Sequence, residues 1–308
     1  MARVRLPRVL ERLPRIVFVL GKGGVGRSTI AAALGTALAS HGETILVLEW
    51  TVAEAIAPWF GHAAAGVHPV EVSPRLSVAN YDLHWALEAY FVDHLRLRRF
   101  HRHVIDGAAM RKLIQAAPGV AELLFVGQLW WLSTLAAEEA GLRFDRIVVD
   151  APATGHGASI LHLPATLETL GATGLLALET GRVRAMMADP AWTGALLVAE
   201  PEELAVEETR ELLPRATRDL GRPPLGLIVN RSQKTLGPID PAVGGRLSAN
   251  ARASFEVLRA RVESRRAHEA ALRALPIPTL SIDDFTLDHE RSAREIVAEA
   301  ARVLGGRT

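Results

Sequence analysis

The strongest constraint on the fold lies in the first fifty residues. Residues 16–20 (IVFVL) form a continuous apolar run, and residues 21–29 (GKGGVGRST) form a glycine-rich segment. Residues 28–40 (STIAAALGTALAS) are rich in Ala and Leu and stop at His41-Gly42, and residues 44–49 (TILVLE) are a second apolar run. A short stretch that is apolar at every position has no polar face to give to water, so it belongs to a strand buried on both sides. The Ala/Leu stretch reads as a helix ended by the glycine. Strand, loop, helix and strand in that order begin a parallel sheet.

The rest of the chain repeats the alternation. Further strands are predicted at 76–79, 144–150, 194–199, 225–230 and 278–282, with helices at 203–213, 248–275 and 290–304. Between 84 and 141 the pattern turns long and helical. The expected architecture is α/β: a doubly wound parallel sheet, mixed at most at an edge, with helices on both faces and a helical insertion. No repeat or low-complexity linker divides residues 15–308, so they read as a single domain.

Residues 1–14 precede it as a basic extension carrying Arg3, Arg5, Arg8 and Arg12. Two readings of this extension stand: a solvated arm, or a docking segment for a membrane surface or partner.

Composition narrows the chemistry. The chain has 308 residues, 49% hydrophobic and 22% charged, enough for a full core. Its formal net charge of +1 leaves no nucleic-acid footprint. It has no Cys, which excludes disulfides, Cys-ligated zinc and iron–sulfur clusters. No signal-peptide pattern is visible, and the most apolar internal stretch, 123–137, is too short and too polar to span a bilayer. A cytoplasmic location is expected, with peripheral membrane association as its variant. Only three of the 35 basic residues are Lys, and one of them, Lys22, lies inside the glycine loop.

A glycine loop between a strand and a helix lets backbone N–H groups converge on phosphate oxygens, and the helix N-terminus adds partial positive charge. Ser28 stands where such a loop places the hydroxyl that meets Mg²⁺, and Thr29 follows it. Asp150 ends a buried strand, a position suited to a carboxylate that holds the Mg²⁺ shell.

The loop, with an early Lys22 and with Arg27 before Ser28, resembles the deviant Walker A loop of dimeric ATPases. Residues 147–156 (IVVDAPATGH) resemble the strand-end motif of the arsenite-pump (ArsA) ATPase family, close to DTAPTGHT. Residues 198–209 (VAEPEELAVEET) resemble that family's strand–turn–helix segment, and Ile228-Val229-Asn230-Arg231 its base-recognition segment. The matches run in order along nearly the whole chain.

The resemblance implies a dimeric ATPase that binds ATP or ADP with Mg²⁺. Gly21, Gly23, Gly24, Val25, Gly26, Arg27, Ser28 and Thr29 would cradle the phosphates. Ser28 and Asp150 would hold Mg²⁺, Asp150 through water. Lys22 would reach a partner's nucleotide, and Asn230 would meet adenine. Thr154, Gly155 and His156 would form the second switch. The implied partners are a second copy or a paralogous ATPase, and a hydrophobic client or membrane-associated protein.

Three departures qualify the resemblance. Arg27 replaces the usual Lys; it keeps the charge but not the compact ammonium. Thr51 stands where the first switch carries Asp, and Thr cannot serve as a carboxylate base. Glu49 and Glu54 are the neighbouring carboxylates able to take over. The absence of Cys removes the arsenite and zinc sites of relatives. Altered hydrolytic groups beside an intact Lys22 leave two readings open: a slow homodimeric ATPase, or a nucleotide-binding subunit that serves an active paralogue. Trp130 and Trp131 in 123–137 read either as core packing or as the lining of a client groove.

Overall fold

The computed structural model describes residues 13–51, 53–86, 120–134, 141–152, 160–164, 166, 174–233, 247–284 and 292–305, the side chains of 174–179 excepted. Its centre is an eight-stranded sheet. The strands are β1 (Ile16–Gly21), β2 (Ile45–Glu49), β3 (Val70–Ser73), β4 (Leu76–Asn80), β5 (Arg146–Asp150), β6 (Thr193–Ala199), β7 (Gly226–Ser232) and β8 (Thr279–Asp283). They lie in the order β3-β4-β2-β5-β1-β6-β7-β8. Every pairing is parallel except the edge pair β3–β4, which is antiparallel and carries an irregularity between Glu71 and Ser73.

Strands β1, β2 and β6 are buried at every position, and apart from Glu49 and Thr193 their residues are apolar, as burial on both faces requires. Their side chains alternate between two cores. Ile16, Phe18 and Leu20 of β1 face one side, and Val17 and Val19 face the other. Helix α1 (Arg27–Ser40), the short α2 (Ile56–Trp59) and α7 (Ala293–Leu304) cover the second face. Helices α3 (Val120–Leu132), α4 (Gly174–Ala188) and α5 (Glu203–Leu220) cover the first, and α6 (Ala249–Arg273) adds Leu272 there. The doubly wound arrangement expected from the sequence is the one found.

Several boundaries differ from the sequence expectation, each for a physical reason. Helix α5 does not stop before Pro214 but runs on to Leu220, where Gly221 (φ 67°) ends it. Its buried stripe of Ala205, Val206, Thr209, Leu212, Leu213, Ala216 and Leu220 continues across the proline and outweighs one missing hydrogen bond. Packing also begins before residue 15. Leu13 is buried, and Arg146 donates to the carbonyls of Leu13 and of Pro14, the latter at 3.0 Å.

Of the 84–141 insertion, α3 is described. Phe125, Val126, Leu129 and Leu132 are buried in the core, and Trp130 and Trp131 pack partly buried against it. The guanidinium of Arg182 covers the Trp130 ring at 5.3 Å. The amphipathic α7 spends its apolar face on the core, burying Val297, Ala300, Ala301 and Leu304. Among the described residues, no helix is long and apolar enough to cross a membrane.

Candidate functional site

The site forms at the C-terminal ends of β1, β2 and β5. Strand β1 ends at Gly21, where any Cβ would lie 2.3 Å from the Val198 carbonyl oxygen on β6, so only glycine fits. The chain then turns through Gly24 (φ 89°) and Gly26 (φ 88°), both left-handed. Gly26 is the N-cap of α1, with no side-chain cap and no acidic residue in the first turn. The helix therefore presents free N–H groups and uncompensated positive charge towards the loop, the arrangement that attracts an anion. Gly23 and Gly24 are exposed there.

Two residues of the first turn of α1 reach β5. Ser28 Oγ donates to Asp150 Oδ2 at 2.5 Å. Arg27 Nη1 donates to the carbonyl oxygen of Ala151. Asp150 is 6% exposed, and its other oxygen, Oδ1, is buried without a hydrogen-bond partner. Burial pushes the Asp150 carboxyl above the usual range, against the opposing pull of the Ser28 hydroxyl and the Arg27 charge. Burial likewise lowers Arg27, and Asp150 opposes it. A hydroxyl and a buried, half-satisfied carboxylate beside an anion cradle are an oxygen donor set suited to Mg²⁺. They fit the cation that a bound nucleoside triphosphate would bring.

Glu49 ends β2 directly beside Asp150 and is fully buried. Its Oε1 accepts from the backbone N–H groups of Ala55 (3.1 Å) and Ile56 (3.4 Å) at the start of α2, while its Oε2 has no partner. Burial pushes its carboxyl up to about 7; the two N–H bonds oppose this, and the charges of Asp150 and Glu54 add to it.

Thr51 lies just beyond. Its backbone N–H donates to Asn80 Oδ1 (3.2 Å), Asn80 Nδ2 donates to the Thr51 carbonyl (2.8 Å), and its hydroxyl accepts from Ala53 N–H at 3.3 Å. Glu54 is turned to other work, accepting from Gly66 N–H at 2.9 Å. A cavity of 540 Å³ opens between Trp50, Thr51, Asn80, Tyr81, Leu83 and Pro152.

On the other side of the loop, Asn230 near the end of β7 is 7% exposed and donates from Nδ2 to the Val25 carbonyl at 2.9 Å. It braces the loop from behind. Next to it, Arg231 takes a left-handed backbone (φ 54°) and pairs with Glu200 at 3.1 Å. A smaller cavity of 80 Å³ joins Thr29, Trp59, Asn230, Arg231 and Asp283 with residues of α7. Lys22 points towards α5, its Nζ 3.7 Å from the Glu208 carboxylate.

The structure thus gathers Gly21, Gly23, Gly24, Val25, Gly26, Arg27, Ser28, Thr29, Asp150 and Asn230 around one loop, with Lys22 and Thr51 at its flanks. Thr154, Gly155 and His156 lie outside the described residues. Sequence reasoning missed Glu208 and Asn80, whose contacts depend on a helix and a strand far away in sequence. It named Glu49, with Glu54, as a neighbouring carboxylate able to take over from the Asp that Thr51 replaces, and not as a partner of Asp150. The signal available for Glu49 was a carboxylate closing an otherwise wholly apolar strand.

A glycine loop on the strand next to a strand-end carboxylate, within a parallel sheet covered on both faces, defines a P-loop nucleoside-triphosphatase fold. Within that class, the chain belongs to the anion-transporting ATPase (ArsA ATPase) family, whose profile matches residues 14–173. It is 31% identical over 232 residues to the ATPase BagA of Mycobacterium tuberculosis, covering 71% of this chain and 65% of that protein. It is 28% identical over 235 residues to an ATPase ASNA1 homolog of Babesia bovis, with 64% and 61% covered. An arsenical pump-driving ATPase of Acidiphilium multivorum matches at 25% over 158 residues, 51% of this chain and 27% of that protein. The chain thus spans about two thirds of the length of its mycobacterial relative and less of the others.

Proposed function

We propose that this chain binds ATP with Mg²⁺ at the Gly21–Gly26 loop and hydrolyses it slowly as part of a dimer, coupling dimer closure to a partner or client. The observation that carries this reading is the 2.5 Å bond between Ser28 of α1 and Asp150 of β5, made at the mouth of an uncapped helix. The loop N–H groups take the phosphates, and Ser28 and Asp150 hold the cation. A Mg²⁺ ion held by these two residues would supply positive charge to offset what develops on phosphoryl transfer. Asn230 keeps the loop in its phosphate-accepting shape by holding Val25. Lys22 leaves Glu208 and serves the phosphates bound by the partner.

Membership of an ATPase family supports hydrolysis as the reaction. Steady-state phosphate release with Mg²⁺, measured beside nucleotide affinity on the same sample, tests it. Turnover that disappears in Lys22→Ala while binding persists is the expected outcome; absence of ATP binding refutes the reading.

A second reading has its own support. Arg27 is committed to the Ala151 carbonyl, and Thr51 brings no carboxylate to the first switch. A subunit of this kind would bind nucleotide, hydrolyse poorly and activate a paralogue through Lys22. Equal turnover by the chain alone and by the mixed complex rules this out.

A further inference from the structure

We propose that Glu49 is a ligand of the divalent cation in this chain, alongside Asp150 and Ser28. The role rests on the nucleotide-site reading above and adds a residue to it.

The argument begins with register. Glu49 and Asp150 are paired neighbours on the parallel strands β2 and β5. In such a pair the side chains leave the same face of the sheet. Here that is the face of Val47 and Val148, the one that α1 covers. Glu49 is 0% exposed and Asp150 is 6% exposed, so neither carboxylate is solvated. Each has one oxygen accounted for: Glu49 Oε1 takes the N–H groups of Ala55 and Ile56, and Asp150 Oδ2 takes the Ser28 hydroxyl. The other two oxygens, Glu49 Oε2 and Asp150 Oδ1, are buried and accept nothing.

Two adjacent ionised carboxylates, each with an unmatched oxygen and little water, are unfavourable until a proton or a cation comes between them, and a divalent cation satisfies both free oxygens at once. Arg27 contributes charge towards Asp150, but its Nη1 is spent on the Ala151 carbonyl.

A helix-capping role accounts for only half of Glu49. The two N–H bonds occupy Oε1, and an Asn or Ser would supply such an acceptor without burying a second carboxylate oxygen. Metal ligation accounts for the other half. Among the described residues, no group of three or more His, Cys, Asp or Glu gathers. That suits Mg²⁺, which takes one or two carboxylates and completes its shell with water and phosphate oxygens. Glu49 also restores negative charge near the switch where Thr51 brings none. It does so from the rigid end of a strand rather than from a loop.

The test uses Mn²⁺ as probe, followed by electron paramagnetic resonance on the full chain with and without saturating ADP. ATP binding is measured separately by equilibrium dialysis. Glu49→Gln keeps the Oε1 acceptor and hence the cap on α2. It is expected to weaken Mn²⁺ binding at least about tenfold, as Asp150→Asn should. Glu54→Gln, a nearby carboxylate with hydrogen-bond partners of its own, leaves it unchanged. Wild-type Mn²⁺ affinity in folded Glu49→Gln overturns the proposal, as does wild-type protein that retains no Mn²⁺ in either condition. Loss of ATP binding by the wild-type chain refutes the nucleotide site instead, so the two failures are distinguishable.

Should Glu49→Gln not fold, the wild-type chain still decides. Fe²⁺ loaded in place of Mg²⁺ and treated with ascorbate and peroxide cuts the backbone beside its ligands. Cuts near both residue 49 and residue 150 are expected, and cuts near 150 alone overturn the assignment.

Discussion

The bond between Asn230 and the phosphate loop makes a quantitative prediction about Gly26. That glycine sits at φ 88°, ψ 30°, and an added Cβ would come within 2.3 Å of Asn230 Nδ2. Gly26→Ala therefore incurs two costs. The left-handed backbone costs an Ala about 1–2 kcal/mol. The Asn230 side chain must also withdraw, which breaks its 2.9 Å bond to the Val25 carbonyl. Leaving that buried acceptor unpaired costs about 1–3 kcal/mol. The sum is about 2–5 kcal/mol.

Asn230→Ala alone should lose only the second amount, about 1–3 kcal/mol. The double variant has already lost the bond and now has room for the methyl group. Its loss should match that of Gly26→Ala alone, not the sum of the two. The expected coupling is thus about 1–3 kcal/mol in a double-mutant cycle. Urea unfolding, followed by tryptophan fluorescence and circular dichroism on all four proteins, gives the number where the two probes coincide. Losses that add to within about 0.5 kcal/mol would refute the claim that Gly26 and Asn230 share one contact.

Four further outcomes follow, three of them from the same site. Thr51→Asp keeps the acceptor that the Thr51 hydroxyl offers to Ala53 N–H, so the turn persists while a carboxylate returns; phosphate release should rise by about tenfold or more. Arg27→Lys supplies a compact ammonium and gives up the bond to Ala151; turnover should rise while stability falls by about 1 kcal/mol, read by phosphate release and urea midpoint. Glu208→Gln removes the charge that holds Lys22 at 3.7 Å, and is expected to raise Lys22-dependent turnover without changing nucleotide affinity.

The fourth outcome concerns pH. Burial raises the Glu269 carboxyl, but bonds from Ser232 (2.7 Å), Ser281 (2.7 Å) and Arg273 outweigh it and bring it below its ordinary 4.5. Its stabilisation is therefore complete above about pH 4.5 and lost as pH falls through the lower folded-state value. Glu269→Gln should lower the urea midpoint at pH 7 and flatten its decline in acid.

What the sequence made legible, and what it hid, follows from the range of the interactions involved. Strands β1, β2, β5, β6 and β7 could be read because burial on both faces demands a run of apolar residues at their centres, a signal held within a few letters even where a polar residue ends the strand. The phosphate loop was legible for the same local reason, since only glycine tolerates Gly24 and Gly26 at positive φ and Gly21 against Val198. The edge strand β3 was not. Val70-Glu71-Val72-Ser73 pairs on one side only, so half of its residues face water and its composition looks like a loop.

The site's second layer was hidden for a different reason. Asn230 meets Val25 across 205 residues of chain, and Lys22 meets a glutamate on α5; Ser28 and Asp150, 122 residues apart, were joined beforehand only through the family resemblance. No periodicity encodes such pairs; the strand order creates them. Glu49 lies between the two cases. As a charged residue ending a wholly apolar strand it was visible, yet its meaning depends on β2 lying beside β5, which puts two buried carboxylates side by side. Sheet order therefore turns a strand that merely ends in Glu into one half of a buried carboxylate pair, the basis of the proposed cation site, and strand order is the first quantity to establish when a relative carries the loop but has lost the usual switch carboxylate.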